Sequence, residues 1–251
     1  MYKRCSVLVA VLLLAICLTL LTGCKPESLV STSQEIEIGR QASQDIERQY
    51  GVVKDPALNA TVNNMGQSLA KCSERPDITY TFKILNIKDV NAVSLPGGWV
   101  YVYKGLVDQT KGKPDELAGV IAHEIGHVAA RHHAQMLGRE IQASLIIGTL
   151  TKGDTQQIAS IFANLQLLHY SREQEYEADK LGIKEMWLCR QQDPAVYNSQ
   201  GLIDFFGALL KMEGKPPSNF EQIFRTHPVT AERIKRAQAF LDDLRAGRTD
   251  P

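Results

Sequence analysis

Most apolar positions along the chain recur at helical spacing. Ile38, Ala42 and Ile46 are four residues apart, and they follow residues 32–35, whose Thr-Ser-Gln-Glu sequence matches a capping box at a helix start. Prolines or polar residues at helix starts and glycine at one helix end support the same interpretation elsewhere. The predicted helices cover residues 32–49, 56–72, 114–137, about 140–150, 156–188, 199–213 and 229–246.

The spacing changes to two between the second and third of these helices. Residues 78–85 alternate as in a strand, and residues 99–103 are a run of aromatic and β-branched residues. Residues 96–98, Pro-Gly-Gly, are typical of a turn, so residues 92–103 are predicted to form a hairpin. The pattern therefore predicts one α+β domain that is mostly helical and has a small antiparallel sheet.

The amino terminus has the pattern of an exported lipoprotein. Lys3 and Arg4 precede an apolar run over residues 7–21, which is shorter than the roughly 20 residues that span a bilayer and so disfavours a transmembrane anchor. The run ends in Leu-Thr-Gly before Cys24, which resembles a lipobox. Acyl chains on Cys24 would hold the chain on the periplasmic side of a bacterial membrane, and Lys25 favours the outer membrane over the inner one. The predicted division is a signal peptide over residues 1–23, a lipidated tether over residues 24–33 and a catalytic domain over residues 34–251.

Composition and charge restrict the function only a little. The 251 residues are 44% hydrophobic and 22% charged, as expected of a globular domain. Lys+Arg and Asp+Glu number 28 each, so no basic excess indicates a nucleic-acid partner. After processing at Cys24, the remaining cysteines are Cys72 and Cys189, which we expect to form a disulfide in an oxidising compartment. The alternative is two separate buried thiols.

The candidate chemistry is concentrated in His-Glu-Ile-Gly-His at residues 123–127. In a helix, His123 and His127 lie on one face, so both imidazoles can reach one metal ion. Imidazole nitrogen suits Zn²⁺, whose catalytic sites use three protein ligands and a water. Glu124 can act as the general base on that water. Apolar residues within 117–128 indicate that the helix is buried along one side, as a metal site requires. The alternative is an amphipathic helix whose histidines face the solvent and bind no metal.

One candidate for the third ligand is a histidine shortly after this motif. His133 stands ten residues after His123, the spacing of the extended metzincin motif. That motif needs a glycine turn, but here the corresponding position is Ala130 and helix formers continue to Leu137. His132 and His133 are therefore expected to be exposed residues of a continuing helix.

The other candidates are carboxylates in the acidic segment 171–179. Glu175 and Asp179 are four residues apart and share a helix face, so one could bind the metal while the other accepts a hydrogen bond from a ligand histidine. Spacing alone leaves Glu173 and Glu177 open as ligands, and it leaves open a solvated acidic face with no metal.

Three motifs together resemble those of the M48 family of metallopeptidases, and in particular its bacterial periplasmic lipoproteins. They are the His-Glu-x-x-His helix, the Glu-x-x-x-Asp element that begins at Glu175, and Thr-His-Pro at residues 226–228 followed by Arg233. The likeness extends from about Gln34 to Ala239. It implies a zincin-type (gluzincin) domain with one Zn²⁺ per chain. It also implies the ligands His123, His127 and Glu175, the base Glu124 and the outer carboxylate Asp179.

The resemblance also implies roles for residues whose own signals are weak. His227 precedes Pro228 and by itself is more typical of a capping or packing residue. In the family this histidine approaches the metal, as a latch on the fourth position or as a polariser of the substrate oxyanion, and Arg233 could assist it. Asn91 and Ala92 resemble the start of a strand beside the cleft. Such an edge strand can pair with an extended peptide, although an ordinary edge strand has the same pattern.

These residues predict a zinc metalloendopeptidase. Unfolded or misfolded envelope proteins are the substrates that the resemblance implies. The alternative is a zinc-binding, chaperone-like quality-control lipoprotein with little proteolysis, and Glu124 argues against it because a binding protein gains nothing from a base beside the metal. The apolar stretch Ile141–Leu150 is too short to span a membrane and predicts a buried helix or a membrane-facing lid over the cleft.

Overall fold

The structure is a computed structural model that describes residues 29–147, 169–212, 214 and 216–250. The predicted signal peptide, Cys24 and the first part of the tether lie outside the described residues. So does the predicted lid at Ile141–Leu150, except for its backbone up to Ile147. Within the described ranges, none of the helices combines the length and the apolar character that crossing a bilayer requires.

The described part of the chain contains nine α-helices and three strands. In chain order they are α1 (Thr32–Tyr50), α2 (Pro56–Ala70), β1 (Thr81–Leu85), β2 (Ala92–Leu95), β3 (Trp99–Tyr103), α3 (Lys104–Gln109), α4 (Pro114–Ala129), α5 (His132–Ile147), α6 (Arg172–Gln192), α7 (Gln200–Leu210), α8 (Glu221–Thr226) and α9 (Ala231–Arg245). The mostly helical α+β class is confirmed. The sequence did not predict α3 and α8, because helices of six residues are too short to repeat an apolar spacing.

The sheet is mixed, so the prediction of an antiparallel sheet was wrong for one strand. β2 and β3 form the predicted antiparallel hairpin, in which Gly97 and Gly98 adopt the positive φ angles of the turn. β1 pairs with β3 in parallel, and the strand order is β1-β3-β2. The cause is the connection over residues 86–91, which crosses the carboxyl end of β3. There the Gly105 N–H donates to the Ile87 carbonyl at 3.0 Å. Strand periodicity cannot predict which side of β3 the first strand takes.

Both faces of the sheet are buried. Successive side chains of β3 point in opposite directions, so they pack into two different cores. Val100 and Val102 pack in a core that includes α2 and α4, whereas Tyr101 and Tyr103 pack against α1 and the start of α5. The Tyr101 hydroxyl donates to Glu47 of α1 at 2.7 Å. The sheet is therefore a rigid middle layer, and α4 lies on one face of it.

The predicted continuous helix over residues 114–137 is interrupted, and this corrects two expectations. α4 ends at Ala129, Arg131 adopts a left-handed φ of 57°, and α5 begins at His132. The break is stabilised by a tertiary contact that helix propensity cannot predict, since the Arg131 guanidinium lies 3.1 Å from Glu35 of α1. Because the chain turns here, His132 and His133 point inward and are buried, not exposed.

A disulfide joins the end of α2 to α6. Its members are Cys72 and Cys189, the pair for which the sequence predicts a bridge. They are separated by 117 positions in the sequence. The bond therefore holds α6, which carries the acidic segment, against the element that precedes the sheet.

Glu185 of α6 is a fully buried acid. Neither of its carboxylate oxygens has a hydrogen-bond partner among the residues that the structure describes. Burial raises the pKa of Glu185 well above its ordinary value, the nearby Glu74 adds to this, and Lys184 opposes it. The folded state therefore binds the proton more tightly than the unfolded state. By linkage, the stability of the wild type decreases as the pH rises above the unfolded pKa of about 4.3.

Replacing Glu185 by Leu should increase the free energy of unfolding at pH 7 by about 1–3 kcal/mol, because it removes buried polar atoms without partners. The gain should shrink towards pH 4, where the glutamate is protonated in the folded state and mostly protonated in the unfolded state. Urea unfolding of the metal-free protein at both pH values measures it. The exposed Glu173 of the same helix provides the control, Glu173→Leu, with a change below about 0.5 kcal/mol. A lower urea midpoint for Glu185→Leu at pH 7 would contradict the prediction.

Candidate metal centre

The centre is built on α4, which is packed between α6 and α7. Close approach of the helices depends on glycine. A Cβ on Gly126 of α4 would lie 2.7 Å from the Ala178 carbonyl oxygen, and a Cβ on Gly182 of α6 would lie 2.9 Å from the backbone nitrogen of His123. Both contacts are too short for a side chain, so the two glycines allow α6 to lie directly against the histidine face of α4.

Four buried side chains meet at this point: His123 and His127 from α4, Glu175 from the first turn of α6, and His227 from the end of α8. Each offers one ligand atom, and these atoms all lie within 4.8 Å of one another. Of the carboxylates that spacing left open, Glu175 is thus the one in this cluster, whereas Glu173 and Glu177 are exposed. Glu175 is buried because it lies on the face of α6 that contacts α4.

Five distances between nitrogen and oxygen atoms of these side chains are close to those around a tetrahedral ion. Nε2 of His123 lies 3.0 Å from Nε2 of His127, 3.3 Å from Nδ1 of His227 and 3.6 Å from Oε2 of Glu175. Oε1 of Glu175 lies 3.4 Å from Nε2 of His127 and 3.1 Å from Nδ1 of His227. A tetrahedral Zn²⁺ with bonds of about 2.0–2.1 Å separates its ligand atoms by about 3.4 Å. Three imidazoles and one carboxylate are also the donor types that zinc prefers.

The electrostatics favour the metal-binding protonation states of His127 and Glu175, whereas they favour the charged form of His227. Burial lowers the pKa of His127 well below its ordinary value, although Glu175 opposes the shift. Burial opposes ionisation of Glu175, but His227 and Arg233 outweigh it and hold the pKa of that carboxyl well below its usual range. Burial also opposes charging of His227, yet Glu175 and Glu124 raise its pKa. A neutral His127 and an ionised Glu175 are the forms that bind a metal.

Asp179, the predicted outer carboxylate, lies beside His123 on the side away from the cluster. Its Oδ1 is 2.9 Å from Nδ1 of His123. The Arg233 guanidinium holds Asp179 with two hydrogen bonds of 2.7 Å and also contacts Glu175. Arg233 is buried, and it lies over the ring of Phe206. These contacts orient the carboxylates, so the oxyanion role of Arg233 stays a prediction.

Glu124, the predicted base, is buried beside the four donors. Its Oε2 accepts a hydrogen bond of 2.8 Å from the Ser94 hydroxyl, and its Oε1 lies 3.4 Å from Nε2 of His227. Ser94 belongs to β2, so the edge strand itself orients the carboxylate. The sequence did not predict this contact, because a lone serine in a strand has no distinguishing pattern.

His133, the rival third ligand, lies outside the cluster. Its Nε2 is 2.9 Å from the Ser94 carbonyl oxygen and 2.8 Å from the Tyr170 hydroxyl. Tyr170 stacks on the His127 ring, with 3.7 Å between the centroids. His132 instead contacts His127, with 2.8 Å between the Nδ1 atoms. The sequence did not predict these contacts, because its continuous helix turned both histidines outwards. It also placed Tyr170 inside a helix over residues 156–188, whereas α6 begins only at Arg172.

The predicted substrate strand lies at the edge of the sheet. Asn91 and Ala92 line a mainly apolar recess together with His123, Glu124 and His227, and the other wall consists of apolar side chains of α7 and of residues near α8. Asn91 is buried, and its amide lies 3.4 Å from the Thr226 hydroxyl. The recess therefore joins the edge strand to the cluster.

The mostly helical domain, its small sheet and the histidine-carboxylate cluster on α4 and α6 define a zincin-like metallopeptidase. The chain belongs to peptidase family M48, which matches residues 56–241.

The chain is similar to several proteases. It is 28% identical to the metalloprotease YcaL of Escherichia coli over 267 residues, which covers 94% of this chain and 98% of that protein. It is 32% identical to the metalloprotease LoiP of E. coli over 165 residues, 61% of this chain and 60% of LoiP. A putative beta-barrel assembly-enhancing protease of Vibrio cholerae is 27% identical over 223 residues, 82% of this chain and 44% of that protein. The chain thus spans about half the length of some curated relatives that it matches.

Proposed function

We propose that this chain is a zinc-dependent endopeptidase of the bacterial cell envelope, which cleaves unfolded or misfolded proteins there. The observation that carries the proposal is the cluster of four buried donors, whose ligand atoms lie within 4.8 Å of one another and which stands directly beside the carboxylate of Glu124. The donor set fits Zn²⁺, and one ion per chain is proposed. His123, His127 and Glu175 would hold it, with Asp179 orienting His123.

In the proposed reaction, Glu124 is the general base. Bound Zn²⁺ would supply a Lewis acid, which polarises the peptide carbonyl and makes a water acidic near neutral pH. The Glu124 carboxylate takes the proton from the attacking water and then delivers it to the leaving amine. Ser94 holds Oε2 of Glu124, which leaves Oε1, the oxygen that faces His227, for this proton transfer. Backbone groups of β2, including Ala92, are proposed to align the substrate in extended form.

His227 is proposed to occupy the fourth donor position in the resting site. Its Nδ1 lies near His123 and Glu175, and its Nε2 faces Glu124. A substrate carbonyl needs the same place, so His227 must move before cleavage and acts as a latch. Displaced from this place, the ring can donate a hydrogen bond to the oxyanion, with Arg233 as its proposed aid.

The location in the envelope is proposed from the amino terminus. A lipid on Cys24 would anchor the domain on the periplasmic side of a membrane, and Lys25 favours the outer membrane. The disulfide between Cys72 and Cys189 supports an oxidising compartment. The name of the V. cholerae relative, a protease that enhances beta-barrel assembly, also supports this compartment.

Removing the metal should abolish cleavage of casein, and adding Zn²⁺ back should restore it. The test compares zinc content and casein cleavage in the wild type, in Glu175→Ala and in His133→Ala. Glu175→Ala should lose zinc and activity together, since it removes a donor from the cluster. His133→Ala should keep its zinc, because His133 contacts Ser94 and Tyr170 instead.

Two results would contradict the proposal. Zinc retained by Glu175→Ala and lost by His133→Ala would assign the third ligand to the histidine. A wild type that binds zinc and prevents casein aggregation but never cleaves it would favour the chaperone-like alternative.

A further inference from the structure

The two ligand histidines of α4 have different outer partners. His123 contacts a carboxylate directly, because its Nδ1 lies 2.9 Å from Asp179. His127 contacts a second histidine instead, with 2.8 Å between its Nδ1 and Nδ1 of His132. His132 in turn places its Nε2 at 3.2 Å from Oε2 of Glu177. His127 and His132 are fully buried, whereas the Glu177 side chain is 55% exposed.

The hydrogen positions along this chain of contacts follow from the cluster. Nε2 of His127 faces the other donors, so it must present its lone pair to a metal and its proton must be on Nδ1. The His127 Nδ1–H then donates to Nδ1 of His132, which has to be an acceptor. The proton of a neutral His132 is consequently on Nε2, where it donates to the Glu177 carboxylate. Every contact thus pairs one donor with one acceptor.

The break between α4 and α5 makes this arrangement possible. In an uninterrupted helix, residues five apart point about 140° away from each other, so His132 would not reach His127. Arg131, whose φ angle is left-handed, turns the chain between the two helices and brings the His132 ring within hydrogen-bonding distance of His127. The contact between Arg131 and Glu35 stabilises that turn.

We propose that His132 and Glu177 are positioning residues, which fix the tautomer and the ring orientation of His127 and so strengthen metal binding. The inference rests on the proposed function, in which His127 is a metal ligand. It gives a role to the buried His132 and to the exposed Glu177 of the acidic segment, which is neither a metal ligand nor a partner of Arg233.

The test measures the zinc dissociation constant of the full chain by competition with a chromogenic chelator. His132→Leu removes both hydrogen bonds and should weaken zinc binding about 10–100-fold. Glu177→Gln removes only the carboxylate at the end and should weaken it several-fold. Glu173→Gln is the matched control, since Glu173 is an exposed glutamate one turn earlier on α6, and it should change nothing.

A conservative variant separates positioning from mere packing. The side-chain oxygen that His132→Asn introduces can take the place of Nδ1 as the acceptor for His127, although it cannot reach Glu177. His132→Asn should therefore recover most of the affinity lost in His132→Leu. In the His132→Asn background, Glu177→Gln should have no further effect, because the contact that links residue 177 to the site has been removed.

The outcomes distinguish this inference from the proposed function. A wild type without zinc or casein cleavage would overturn the proposed function itself. A wild type with both, together with His132→Leu and Glu177→Gln at wild-type zinc affinity, would overturn only the inference. If His132→Leu does not fold, the comparison of Glu177→Gln with Glu173→Gln decides, and equal affinities of those two variants would also overturn it.

Discussion

Replacing Glu124 by Gln should reduce casein cleavage by about 10²–10⁴-fold, the usual contribution of general acid-base catalysis. Gln has the shape of Glu and can still accept the hydrogen bond from Ser94, but its amide cannot take a proton from water. Glu124 is not one of the four clustered donors, so the zinc content should stay at the wild-type value. The measurement is initial cleavage rates with metal analysis of the same preparations.

The combination of lost cleavage and retained zinc is what identifies Glu124 as the base. Loss of zinc in Glu124→Gln would mean that the substitution disturbs the cluster. Unchanged cleavage would contradict the mechanism. A suitable control is Glu173→Gln, which makes the same chemical change at an exposed position and should retain full activity.

Removing the disulfide should cause the largest loss of stability. Cys72 and Cys189 close a loop of 117 positions, and the chain-entropy relation gives about 4.7 kcal/mol for a loop of about 100 residues. A domain of this size has a free energy of unfolding of about 5–15 kcal/mol, so the loss is a large fraction of the total. Cys72→Ala/Cys189→Ala should therefore unfold at a much lower urea concentration than the oxidised wild type.

The reduced wild type is the control for this double variant. With dithiothreitol present, the two proteins should have similar urea midpoints, because neither contains the cross-link. Equal midpoints for the oxidised wild type and the double variant would contradict the prediction. Metal should be removed before these measurements, since zinc bound to the folded state would add to its apparent stability.

Several elements could be predicted from the sequence because their signals are local. The apolar spacing of Ile38, Ala42 and Ile46 is a property of one helix, and the Pro-Gly-Gly turn before Trp99 specifies a hairpin on its own. The order of the strands could not be predicted in this way. It depends on the path of residues 86–91 across β3, and local periodicity carries no information about that path.

The break after Ala129 is where the prediction of a continuous helix over residues 114–137 was wrong. Residues 130–137 have good helix propensity, and propensity is a weak signal that tertiary contacts can override. Here the turn at Arg131 is stabilised by Glu35, almost a hundred positions earlier in the chain. As a result, His132 contacts His127 inside the protein instead of facing solvent.

The sequence by itself determined that His123, Glu124 and His127 lie on one helix, since a spacing of four residues places both imidazoles on the same face. Spacing alone left open which carboxylate joins them; the family resemblance implied Glu175, and the tertiary structure is what brings Glu175 into the cluster. Glu175 and its neighbours in the acidic segment have the same chemistry and nearly the same spacing. They lie on different faces of α6, and only the face that carries Glu175 packs against α4. That packing depends on the close contacts of Gly126 and Gly182, which bring together two helices that are far apart in the sequence.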